Sequence, residues 1–265
     1  EIYGVNNVKG PRLPLILIPT TAGTGSEVTP ISIVTTGETT KTGIVSPILY
    51  ADVAILDATF TSGLPAHITA ATGIDAMVHA IEAYTSKIKK NFYADMLAKQ
   101  ALKLLNKNLK LVLADGTNLA ARQNMLVGSM LAGQAFANAP VGAVHALAYP
   151  LGGHFHLSHG HTNALVLLEV LKFNAPDAKA LYAELMQWLD PYSKGSTEGL
   201  CDLFIDHMQR HLDHSGLTLK LRDLNVHEQQ LDRLASDAML QTRLLQNNPR
   251  PLLHADALKI YQAIY

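Results

Sequence analysis

The chain changes character near residue 60, and that change limits the folds open to it. Before it, apolar residues come in short β-branched runs. Residues 13–19 form a compact run ending in Pro19, residues 31–36 alternate as Ile-Ser-Ile-Val-Thr-Thr, and residues 53–57 form another short run. Runs of this kind predict strands, buried in the first and last cases. Residues 37–40 read as a turn, with residues 41–45 as its second strand. After Leu64-Pro65 the apolar spacing turns helical, predicting helices over residues 66–86, 91–105, 118–136, 162–174, 178–189, 198–212 and 227–237. The expected fold class is mainly α: a helical domain over residues 62–265, preceded by a strand-bearing part over residues 1–61, with a hinge at residues 57–65. No internal repeat or low-complexity run interrupts either part.

Two segments of the helical part carry ligand chemistry. Asp75 and His79 stand four apart, so on a helix they project the same way, one turn from each other. Such a pair alone is usually a surface contact. Here its neighbours are Ala71, Ile74, Ala76, Met77, Val78 and Ala80, and charged groups in an apolar setting are paired or coordinating. A second segment, from His145 to His161, is rich in histidine, and His145 and His159 offer two more imidazoles. An Asp with three His suits a divalent ion such as Fe(II) or Zn(II).

Composition narrows the function classes. Net charge is −1 with no basic stripe, which disfavours nucleic acid. No apolar run reaches membrane-spanning length and no signal peptide is visible, so a cytoplasmic location without membrane partners is expected. Cys201 is the single cysteine, which rules out an intramolecular disulfide. Its apolar helical setting marks it as a core thiol rather than a nucleophile.

The run Pro19-Thr20-Thr21-Ala22-Gly23-Thr24-Gly25-Ser26-Glu27-Val28-Thr29 resembles the PTTAGTGSEVT signature of the iron-containing (group III) alcohol dehydrogenases. So do Thr69-Ala70-Ala71-Thr72-Gly73-Ile74-Asp75, the HALAYPLGG run from His145, Asn247-Asn248-Pro249-Arg250-Pro251 and Ile260-Tyr261. The resemblance implies metal ligands Asp75, His79, His145 and His159, and cofactor contacts from Thr20, Thr21, Thr24 and Lys41. It implies hydride transfer between NAD or NADP and a small alcohol or aldehyde, with Fe(II), alternatively Zn(II), as the metal. Residues 1–61 are then the remnant of an α/β dinucleotide-binding domain. The family's GGGS-x-x-D turn, which holds the cofactor pyrophosphate, does not occur in these 265 residues. The expectation is therefore the C-terminal two-thirds of such an enzyme, with impaired cofactor binding and exposed sheet edges that favour a homo-oligomer.

Many members have His where this chain has Tyr149, at a position sometimes given a proton-relay role. Tyrosine is a poor base near neutrality, so Tyr149 and His154 are both candidates for that task. A non-catalytic metal-binding or interaction module is an alternative. A glycerol dehydrogenase-like or dehydroquinate synthase-like relative is another, disfavoured by His79, since those enzymes resemble sites with one carboxylate and two His.

Overall fold

The structure is a computed structural model that describes residues 2–37 and 41–265, the side chains of Thr35 and Lys41 excepted. Five short strands occupy the first part: β1 (Gly4–Val5), β2 (Ile16–Leu17), β3 (Ile31–Thr35), β4 (Lys41–Val45) and β5 (Val53–Ala54). β3 and β4 pair antiparallel with Ile33 opposite Gly43, and β1 adds in parallel to the other edge of β4. β2 and β5 form a separate parallel pair. Arg12 ties that pair together: its Nη1 donates to Asp52 Oδ2 at 2.6 Å and its Nε to the Ile48 carbonyl at 2.7 Å.

The β3–β4 hairpin matches the expected strands; its turn lies, apart from Gly37, outside the described residues. The buried strands expected at residues 13–19 and 53–57 are corrected. Only two residues of each pair, and Leu13, Ile16, Ile18, Val53 and Ile55 are exposed. Among the described residues no helix packs extensively on the β2–β5 pair, which leaves these apolar side chains exposed.

Nine helices follow among the described residues: α1 (Ala66–Thr85), α2 (Phe92–Ala114), α3 (Leu119–Asn138), α4 (Ala143–Phe155), α5 (His159–Leu189), α6 (Thr197–Asp213), α7 (Leu231–Met239), α8 (Thr242–Leu245) and α9 (His254–Ala263). α1, α2 and α3 pack on one another, α5 covers α1 and α6, and α4 lies against α5 and α7. Side-chain oxygens close the free N–H groups at helix starts, as Asn91 does for Ala94 N at 2.9 Å and Asn118 for Ala121 N at 3.0 Å. α1 is apolar nearly all round and correspondingly central. Cys201 is buried in α6, and burial pushes its thiol up, in keeping with a core role.

Three helical features differ from expectation. α4 spans a segment read only as a histidine motif, residues 162–174 and 178–189 belong to one helix, α5, running through Pro176, and α8 and α9 lie beyond the last expected helix. Proline inside a helix removes a donor and strains the ladder behind it. Both helices contain one, Pro150 in α4 and Pro176 in α5, and in both the carbonyl three residues earlier accepts a bond from a distant side chain. The Tyr261 hydroxyl donates to Leu147 O at 2.6 Å, and Arg250 Nη1 donates to Phe173 O at 2.8 Å. Asn248 adds a reciprocal amide pair with Asn174 and accepts from Ala143 N at the start of α4. The Asn247-to-Arg250 motif thus holds α4 and α5 in place. No helix among the described residues is long and apolar enough to cross a membrane.

Candidate metal centre

α1 presents Asp75, His79 and Glu82 along one buried face, each less than a tenth exposed. α4 brings His145 to that face, and the first residue of α5 brings His159. Gly160 permits the approach of α5: a Cβ there would stand 2.3 Å from the Ala71 carbonyl oxygen, so only glycine lets the two backbones come this close. Asp75, His79, His145 and His159 each offer one ligand atom, all within 4.8 Å of one another. Asp75 Oδ1 lies 3.9, 3.8 and 3.6 Å from the Nε2 atoms of His79, His145 and His159. A four-coordinate ion with bonds of about 2.1 Å separates its donors by roughly 3.4 Å, so the spacing suits one.

Hydrogen bonds orient two of these rings. His79 Nδ1 lies 3.2 Å from the Gly23 carbonyl, which can only accept, so Nδ1 carries the proton. His145 Nδ1 lies 2.6 Å from Glu82 Oε2, which likewise accepts. Burial pushes His79 down to about 3, against an upward pull from Asp75, so its ring is neutral. The Nε2 atoms of His79 and His145, turned away from these partners, face each other at 3.0 Å. Burial pushes the Asp75 carboxyl up, but the surrounding imidazoles and a 2.5 Å hydrogen bond from Asn163 Nδ2 outweigh it, keeping the group ionised. One carboxylate and three imidazoles are the donor set that a borderline divalent ion takes.

Three contributors went unread in the sequence. Glu82 accepts from Val144 N at 2.7 Å as well as from His145, fixing that imidazole's tautomer and the start of α4. Its signal was available, since a carboxylate on a helix face this apolar has to find a partner. Asn163, one turn after His159, is fully buried; its Nδ2 also lies 3.3 Å from His145 Nε2, and its Oδ1 has no partner. Gly23 orients His79 through its carbonyl, and no sequence signal marks that task. The loop bearing Gly23 is seated on α3 at Gly25, where φ is +56° and a Cβ would meet Gly133 Cα at 2.6 Å.

A cavity of about 610 Å³ opens onto His79, His145 and His159, with apolar walls from Ile33 of β3, Val45 of β4, Phe136 of α3 and Val141. Of the residues expected at the cofactor, Thr24 lines this cavity, while Thr20 and Thr21 stand earlier in the same loop and outside its lining. Lys41 opens β4, and its side chain lies outside those described. Tyr149 lines the cavity with its ring 6.5 Å from that of His145. Burial pushes its hydroxyl up, so it is a proton donor rather than a base. His154 points elsewhere: its Nε2 lies 2.6 Å from Asp237 Oδ2 of α7, and it does not line the cavity.

Residues 69–265 match the model of the Fe-containing alcohol dehydrogenase family, C-terminal, and residues 1–58 match that of iron-containing alcohol dehydrogenase. Long-chain-alcohol dehydrogenase 1 of Geobacillus thermodenitrificans is 41% identical over 100% of this chain and 67% of its own length. The crystal structure of a 1,3-propanediol oxidoreductase superposes with a TM-score of 0.95 at 36% identity, covering 100% of this chain and 69% of that one. Sulfoacetaldehyde reductase from Bifidobacterium kashiwanohense, solved in complex with NAD+, superposes with a TM-score of 0.83 at 31% identity, covering 95% and 65%. The chain thus spans about two thirds of the length of these relatives. On both the match along its whole length and the helical fold it shares, it belongs to the iron-containing alcohol dehydrogenase family.

Proposed function

We propose that this chain carries the metal site of an oxidoreductase that moves a hydride between a nicotinamide cofactor and a small alcohol or aldehyde. The observation that carries the reading is the convergence of Asp75, His79, His145 and His159, whose donor atoms all lie within 4.8 Å of one another. Asp75, His79, His145 and His159 hold the ion, iron by family and zinc as the alternative. A divalent ion there supplies Lewis acidity toward an alcohol or carbonyl oxygen. The chain's own groups do the rest. Glu82 and the Gly23 carbonyl keep the Nδ1 protons of His145 and His79 in place, so both rings stay aimed inward. The Tyr149 hydroxyl keeps its proton and is available as a hydrogen-bond donor at the cavity wall. Ile33, Phe136 and Val141 exclude water.

In this reading residues 62–265 form the metal-binding domain, and residues 1–61 belong to the cofactor domain. Thr24 contacts the cofactor from the cavity wall, with Thr20 and Thr21 beside it. NAD is the expected cofactor on the precedent of the sulfoacetaldehyde reductase complex, with NADP as the alternative. No GGGS-type turn occurs in these 265 residues, which favours a second reading of the isolated chain: it binds the ion stoichiometrically but takes up NAD(P)H weakly and turns over slowly. Anaerobic loading with Fe(II) or Zn(II), followed by elemental analysis, should return one ion per chain, and none for Asp75→Ala. Stoichiometric binding by Asp75→Ala would sink the metal assignment. Micromolar NAD(P)H affinity by the same preparation would overturn the second reading.

A further inference from the structure

We infer that Arg243 makes the cavity beside the histidines selective for alcohols and aldehydes bearing an anionic group, a carboxylate or sulfonate, at the end remote from the reacting carbon. The inference rests on the metal reading above and narrows it to a substrate class. Arg243 lines the same cavity as His79, His145 and His159. It sits on α8 as an exposed residue, and a Cβ placed on Gly43 of β4 would stand 3.9 Å from its Nη2, so the guanidinium lies near the strand side of the cavity. Its backbone is anchored: the Gln246 and Asn247 amides donate to the Arg243 carbonyl at 3.2 and 3.0 Å, and the next residue, Leu244, is buried against Val141 and Ala146.

Among the described residues Arg243 makes no salt bridge, and no Asp or Glu lines the cavity. A second cation, Lys89, lies on the same lining. The neighbouring walls, Ile33, Phe136, Val141 and Leu244, are apolar, and a guanidinium facing such walls gains most from a ligand that brings a negative charge. Its field already acts within the cavity, opposing the upward push of burial on the Tyr149 hydroxyl. Guanidinium and carboxylate match in shape and bond in pairs, whereas a neutral alcohol of equal length leaves the cation without its partner.

Isothermal titration of the full chain, loaded with Co(II), tests this, because the visible absorption of cobalt reports separately on the Asp75 and histidine site. The probes are 3-hydroxypropanoate, 4-hydroxybutanoate and 5-hydroxypentanoate, the n-alkanols of three to five carbons, and inorganic pyrophosphate as a mimic of a cofactor phosphate. At least one hydroxy acid should bind about 10- to 100-fold more tightly than its alkanol, the range of a charge-assisted hydrogen bond. That preference should vanish in Arg243→Gln and survive in part in Arg243→Lys, with pyrophosphate affinity unchanged in both. Equal affinity for acid and alkanol in the unaltered chain overturns the inference, as does a preference that persists in Arg243→Gln. A loss of pyrophosphate affinity equal to that of the acids would assign Arg243 to a phosphate-bearing ligand and overturn it too. Failure of cobalt to bind refutes the metal reading instead, and the acid-to-alkanol ratio on the metal-free chain still decides the role of Arg243.

Discussion

Before residue 62 the buried apolar side chains among the described residues are Ala22, Ile44 and Ala58, whereas α1 alone buries 16 of its 20 residues. The first part of the chain also exposes about half of the large apolar side chains found at the surface, Ile2, Tyr3, Leu13, Ile16 and Phe60 among them. Both parts nevertheless meet at the same site. The helices supply all four candidate ligands and hold them by their own packing. The strands and the loop before them supply one wall of the cavity and the Gly23 carbonyl behind His79. The site therefore has a half fixed by a closed core and a half that depends on one docked loop, seated where Gly25 meets Gly133.

The largest expected effect separates the two parts by stability. Phe204 is fully buried and stacks on Tyr182 at 5.3 Å between ring centroids. Phe204→Ala should cost about 3–5 kcal/mol, the usual loss when an aromatic is removed from a closed core. Ile16→Ala, 59% exposed on β2, should fall within about 0.5 kcal/mol of the unaltered chain. Denaturant unfolding of both variants gives the two numbers. Comparable losses would mean that the β2–β5 pair shares the core's cooperativity, and the contrast between the two parts would fail.

A smaller effect sharpens the comparison at the metal. Glu82 acts through His145, not on the ion, so Glu82→Gln should weaken metal binding by about 10- to 100-fold while leaving the fold in place. Thr24→Ala, on the cavity wall of the docked loop, should leave metal affinity unchanged. Chelator competition on the two variants measures both. If Thr24→Ala matched Glu82→Gln, the metal would depend on the loop as much as on the helices.

How much of this was legible in the sequence follows the same division. The helical part was readable because period and burial agree there: the spacing of Asp75 and His79 in an apolar helix gives their shared face, while the resemblance to the family, not the spacing, singles out His145 and His159. α4 was missed as a helix because Pro150 and its glycines break the local pattern. The side chains that hold it, Asn248 and Tyr261, lie a hundred or more residues away. The break expected at Pro176 in α5 has the same origin, with Arg250 as a distant tether. In the strand part, local β propensity identified the strands but not their exposure, since burial depends on what packs against a sheet and not on the strand itself. The contribution of Gly23 is invisible to any reading of side chains, because the chemistry lies in its backbone carbonyl.

The smallest effect is a pH response confined to the strand part. Asp52 accepts from Arg12 and from Leu15 N, and these two partners hold its carboxyl at about 2, below its ordinary 3.8. A carboxylate whose pKa is lowered by folding stabilises the fold fully above its ordinary value and loses that contribution as pH falls through the lowered one. The clamp between β2 and β5 should therefore be intact at pH 5 and released progressively between about pH 4 and pH 2. Both side chains face solvent, so screening keeps the effect small and local. Its reporters are the amides of Leu15 and Ile55, the first bound to Asp52 and the second to the Leu17 carbonyl. Their hydrogen-exchange protection, corrected for intrinsic rates, should drop over that window. The amides that open α3, capped by the uncharged Asn118, should not follow them. In Asp52→Asn the Leu15 and Ile55 amides should be less protected at pH 5 and flat in pH below it. An unchanged acid response in that variant would assign the titration to another carboxylate and remove Arg12 and Asp52 as the clamp on this edge of the molecule.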